Sequence, residues 1–183
     1  MLKHLLFPVL LVSSAAFGQM AFGQAPKVLK DSGMKKLAVF LGSWRAENSP
    51  DTNGNVNISA VYTCQWSPNG NYLIADQRVT SNGRTTNNLS IYSYDPQKDT
   101  YLLSLVGVPG MQPFSIPVTY KGDELYYLNE YMDNGKKVYG RTVNTFFSPT
   151  SYTYKVQSSA DGVVWITSME GKAVKTGGPG TGH

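Results

Sequence analysis

The sequence predicts an all-β protein, a ten-stranded antiparallel up-and-down barrel with a short helical segment stopping one end. Three observations predict it. From Ser43 onward apolar residues recur at every second position, the period of a strand with one buried face. Between the alternating runs stand residues that make tight turns: Pro68-Asn69-Gly70, Asp95-Pro96-Gln97-Lys98, Gly122-Asp123, Asp133-Asn134-Gly135, Ser148-Pro149-Thr150 and Asp161-Gly162. No helical run lies between strands, so parallel pairing lacks its crossovers, and a long open sheet would leave two bare edges. Closure removes both.

In chain order, Met1 to Gly23 carries a cationic tip at Lys3, an apolar run from Leu5 to Val12 and then small residues. That is the layout of a secretory signal peptide, and it predicts a secreted or periplasmic protein. The quartet Ala16-Phe17-Gly18-Gln19 recurs as Ala21-Phe22-Gly23-Gln24, so cleavage falls near 18 or near 23. No later apolar stretch reaches spanning length, and no integral membrane span is expected once the leader is gone. The barrel domain is expected over 24–176, and the Gly/Pro-rich residues 177–183 are expected to be disordered.

Pro26 to Leu41 reads as an amphipathic helical stretch with Leu29, Met34, Leu37, Val39 and Leu41 as its apolar positions, interrupted by Gly33. Gly42 hands it over to the first strand, and Trp44 is expected to fill the barrel floor. The ten predicted strands are Ser43 to Glu47, Asn55 to Trp66, Tyr72 to Val79, Asn88 to Tyr94, Thr100 to Val106, Phe114 to Tyr120, Glu124 to Tyr131, Lys136 to Phe147, Ser151 to Gln157, and Val163 to Val174. The second alternates most cleanly, with Val56, Ile58, Ala60, Tyr62, Cys64 and Trp66 on one face. In the third, either Tyr72, Ile74, Asp76 and Arg78 face inward, or Leu73, Ala75, Gln77 and Val79 do. The pattern leaves both open.

Alternate turns of an up-and-down barrel share an end. Asn48 to Gly54, Thr80 to Asn87 and Gly107 to Pro113, the three longest predicted loops, therefore fringe one mouth. The tight turns near Asn69, Pro96, Gly122 and Pro149 and the helical segment gather at the other.

Composition narrows the functional classes. The chain has 16 basic and 12 acidic residues, a net charge of +4 that falls by one when Lys3 leaves, and the basic residues are interspersed with acidic ones. Nucleic acid is not an expected partner, because no run or face of Lys/Arg accompanies the aromatics. Cys64 is the only cysteine, so disulfides cannot staple the fold, and its place in an apolar row predicts a buried, inert thiol. The two histidines are His4 and His183, one in the leader and one in the tail. Nucleophilic catalysis lacks its base, metal-ligand spacing is absent, and neither enzymatic activity nor a cofactor is expected.

Candidate ligand contacts come from the open mouth. Arg78 and Arg84, placed at or beyond the end of the third strand, offer guanidinium groups to an acidic head group. Met111, beside Val108 in the Gly107 to Pro113 loop, offers an apolar lip, and Phe114, Tyr139 and Arg141 complete the candidate binding set.

Gly42-x-Trp44 after a short helix resembles the motif that opens lipocalins and related calycin barrels. A larger part of the chain resembles a family of bacterial lipocalin-like domains of unknown function, the one numbered fifteen seventy-nine. The matching stretches are Leu37 to Trp44, Gly70 to Ile74, Ile91 to Tyr101 and Asp161 to Trp165. That resemblance implies a ten-stranded barrel and no assigned activity. In lipocalins a basic side chain from a late strand lies over the tryptophan, and Arg141 or Lys172 would fill that role here. The opening also resembles nitrobindin, a ten-stranded haem barrel whose haem is held by a wall histidine. No histidine lies between Gln24 and Thr181, so no haem is expected.

Together these features predict a binding module for a small apolar or amphipathic molecule held in the barrel. The alternative is a filled barrel that acts through its outer surface, with no ligand.

Overall fold

The structure is a computed structural model that describes residues 33–48, 58–108 and 110–178. They form one 3-10 helix, Gly33–Phe40, and ten strands: β1 (Gly42–Asn48), β2 (Ile58–Trp66), β3 (Leu73–Ser81), β4 (Arg84–Asp95), β5 (Thr100–Val106), β6 (Phe114–Lys121), β7 (Glu124–Asp133), β8 (Lys136–Ser148), β9 (Ser151–Ser159) and β10 (Ile166–Gly177). Every strand pairs antiparallel with its sequence neighbours. β1 also pairs with β10, from Ser43 opposite Gly177 to Asn48 opposite Gly171, which closes the barrel. The leader, Leu29, the loop 49–57 and the tail beyond 178 lie outside the described residues.

The helix packs against the barrel floor through a spacing of three. A 3-10 helix turns once every three residues, so Met34, Leu37 and Phe40 line up on one face, and all three are buried. Val39 and Leu41, expected on the apolar face of an α-period helix, are only partly buried. Eight residues is long for this helix type, whose hydrogen bonds are poorly aligned. The wall compensates with donors to its carbonyls. Tyr101 Oη donates to Gly33 O (2.6 Å), Tyr120 Oη to Lys36 O (3.0 Å), Lys175 Nζ to Val39 O (3.1 Å) and Trp44 Nε1 to Phe40 O (2.7 Å).

Trp44, 1% exposed, is the hub of this floor. Its ring stacks on Tyr62, tilts against Tyr152 and Phe40, and lies under the Lys175 ammonium at 4.9 Å. The cation over the tryptophan is therefore Lys175, neither Arg141 nor Lys172. Lys172 stands opposite Glu47, on the outer face, whereas Lys175 stands opposite Trp44. Ending the last strand at Val174 hides Lys175, but pairing continues to Gly177. The handover at Gly42 needs glycine: its φ is +104°, and a Cβ there would run into the Gly177 carbonyl.

Register settles the face of β3. Tyr62 pairs with Gln77 and Cys64 with Ala75, so Leu73, Ala75, Gln77 and Val79 face the lumen while Asp76 and Arg78 face outward. The expected loop Thr80 to Asn87 is also corrected. β3 and β4 run on to Ser81 and Arg84, joined by the two-residue turn Asn82-Gly83, both at positive φ. The connection 160–165 at that end is longer than expected, because β10 starts at Ile166 rather than Val163.

Candidate functional site

The lumen is filled at the floor and hollow above it. A cavity of about 300 Å³ opens over Phe40 and Tyr92, with Ala60 and Ala75 on one side and Leu103, Leu105 and Ile116 on another. It exists because inward positions carry alanine at mid-height, while the aromatic side chains concentrate one or two positions nearer the floor.

Most polar groups facing this cavity are paired with one another. Tyr62 Oη bonds Tyr152 Oη, and Tyr92 Oη bonds Tyr127 Oη, which also accepts from Asn144 Nδ2. Two groups are not. Ser90 Oγ and Asn88 Oδ1 are buried without a hydrogen-bond partner. They occupy successive inward positions of β4, opposite Ala75 and Gln77. An unpaired buried hydroxyl or amide oxygen costs about 1–3 kcal/mol, so the fold carries both at a loss.

Burial sets the ionisation of the lumen. It pushes the Cys64 thiol up to about 12 and lifts the Tyr62, Tyr92, Tyr127 and Tyr152 phenols above the ordinary tyrosine range. The folded state therefore holds protons that the unfolded chain has already released in alkali. Stability is fully present below the unfolded-state values and is lost as pH rises toward the folded ones. The unfolding temperature is expected to fall steadily from about pH 9 to about pH 12. Phenolate absorbance should show these four tyrosines ionising only as the chain unfolds; their titration in a folded chain near pH 10 would contradict the burial.

A second space breaches the wall. The β6–β7 ladder runs only from Lys121 opposite Glu124 to Val118 opposite Tyr127. The next residue of β6 is Pro117, which has no N–H to give a ladder. Beyond it the strands part around a cleft of about 940 Å³, lined by residues of both parities on β6 and β7. Met111, Phe114 and Tyr139, three of the predicted contacts, meet here beside Leu128 and Trp165. Ile116 lines both the cleft and the lumen cavity.

The three arginines go elsewhere. Arg78 lies in an outer groove with Arg45 and Asp76, away from the mouth. Arg84 is the first residue of β4 and exposed at the rim, and by strand rise it stands about 20 Å from Ser90. Arg141 is on the outer face, stacked at 4.0 Å on Trp165 and donating from Nε to Gln157 Oε1 at 2.7 Å. Trp165 is carried by the 160–165 connection, which Asp161 organises: its Oδ1 accepts from Ser159 Oγ and from the N–H groups of Val163 and Val164. Those backbone donors hold the Asp161 carboxyl below its usual range. Around the same rim Met111, Met132, Val163, Val164 and Ile166 expose apolar side chains, Val163 at 77%.

Sequence reasoning missed Ser90, Asn88 and the Pro117 breach. Ser90 lies in an Asn-Asn-Leu-Ser stretch whose alternation is weak, and only pairing with β3 shows which side faces in. The Pro117 signal was legible, since proline inside a strand marks an interrupted ladder.

No known family profile matches the chain, and no curated protein matches it. Among solved structures, that of EF1p2_mFAP2b bound to DFHBI aligns over 79% of this chain and 100% of its own, at 13% identity and a TM-score of 0.38. A likeness of that degree marks neither a shared site nor a shared ligand. Among the described residues no helix is long and apolar enough to cross a membrane, and no cluster of side chains is arranged to hold a metal ion.

Proposed function

We propose that this protein is an exported binding barrel, and that its lumen cavity takes a small apolar or weakly polar molecule. The observation that carries the reading is the cavity of about 300 Å³ above the aromatic floor, at the lower end of ligand-pocket sizes and lined by alanine, leucine, isoleucine and tyrosine. The cleft between β6 and β7 supplies a side entrance, with Ile116 shared by both spaces. The leader-like N-terminus supports export. A binding role suits the lining better than a catalytic one: its phenols and thiol stay protonated at neutral pH, so none of them serves as a base.

Native mass spectrometry of the protein purified from its own host tests the reading. A small molecule is expected to travel with the chain and to leave on denaturation. A bare chain that also fails to bind any small aromatic probe would favour the other reading, action through the outer surface. The exposed apolar side chains of the 160–165 connection and of Met132 are the features that speak for it.

A further inference from the structure

We propose that the lumen selects neutral ligands that carry a hydroxyl or N–H group, and that Ser90 is the residue that reads it. The inference rests on the preceding reading of the lumen as a binding site. Ser90 is 1% exposed, lines the cavity, and holds an Oγ that no protein group satisfies. A hydroxyl both donates and accepts, so a ligand O–H or N–H lying against β4 at this point meets what Ser90 Oγ lacks. Around it Ala75, Leu103, Leu105 and Ile116 present apolar surface that suits the rest of the molecule.

Charge is excluded by the same lining. Among the described residues no charged side chain borders the cavity. Lys175, the cation below it, is engaged by the Val39 carbonyl and the Trp44 ring. A carboxylate entering this space would lose its water and meet no cation. Arg84 lies too far toward the rim to serve a molecule seated at Ser90.

Three probes of one shape separate the possibilities: naphthalene, 2-naphthol and 2-naphthoate, titrated calorimetrically against the whole protein at neutral pH. We expect 2-naphthol to bind about tenfold more tightly than naphthalene, the equivalent of about 1.4 kcal/mol, and 2-naphthoate to bind most weakly. Ser90→Ala is expected to bring 2-naphthol down to the level of naphthalene and to leave naphthalene unchanged, while Ser90→Thr keeps most of the preference. Because the alanine removes an unsatisfied hydroxyl, the Ser90→Ala unfolding temperature should hold or rise by a few degrees. A clear fall would show the hydroxyl to be spent inside the fold and would overturn the proposal. Equal binding of 2-naphthol and 2-naphthoate, or an indifferent Ser90→Ala variant, would overturn it too while leaving the lumen reading intact. Failure of all three probes to bind would remove both.

Discussion

Trp44→Ala is expected to lower the unfolding free energy by about 4 kcal/mol and the unfolding temperature by about 12 °C. Three losses coincide at this residue. A fully buried indole disappears from among Phe40, Tyr62 and Tyr152, where closely packed rings cannot collapse into the space. The Phe40 carbonyl at the end of the 3-10 helix loses its Nε1 donor. Lys175 loses the ring beneath its ammonium, which leaves a partly buried cation with the Val39 carbonyl alone. Trp44→Phe, which keeps much of the ring volume but not the N–H, should cost about half as much. Urea unfolding curves for both variants check the order, and a loss under about 1 kcal/mol for the alanine would show that the floor does not depend on this side chain.

Ala75→Phe is expected to weaken probe binding in the lumen about a hundredfold while moving the unfolding temperature by only a few degrees. Ala75 faces the cavity between Cys64 on β2 and Ser90 on β4, so an added ring enters space of about 300 Å³ rather than a packed wall. The usual penalty of about 1–3 kcal/mol for overfilling a core is offset here by newly buried apolar surface. Ala173 is the control. It is fully buried opposite Ala46 and Tyr152, at the packed side of the barrel, and Ala173→Phe should destabilise strongly. Calorimetry with naphthalene and thermal melts of both variants distinguish a hollow lumen from a filled one. Undiminished naphthalene binding by Ala75→Phe would place that ligand outside the cavity, the β6–β7 cleft being the next site to test.

The elements whose signal is local were legible before any coordinates. Asn134-Gly135 and Gly122 adopt the positive φ that their turns require, and strands form where the period of two is present. Asn82-Gly83 carried the same signal. It was masked because Thr85, Thr86, Asn87 and Asn88 are polar on both faces, so the run looked like a loop although its backbone pairs with β3. The candidate site was read less well. Met111, Phe114 and Tyr139 do meet, in the wall cleft, whereas Arg78 and Arg141 lie on the outer face and Arg84 at the rim. An inward and an outward arginine differ by one residue of register, and composition does not report that difference.

The chain's own pattern of period, turn residues and bare edges was enough to determine an all-β barrel of ten antiparallel strands, closed first to last, with a tryptophan at its floor. Each of those properties depends on neighbours in sequence or on the need to pair every edge. Only the tertiary structure decided that Lys175 covers Trp44 and that Ser90 faces the cavity unmatched. These depend on which residue stands opposite which across strands distant in sequence, a quantity that cross-strand pairing sets and that no single run of residues contains.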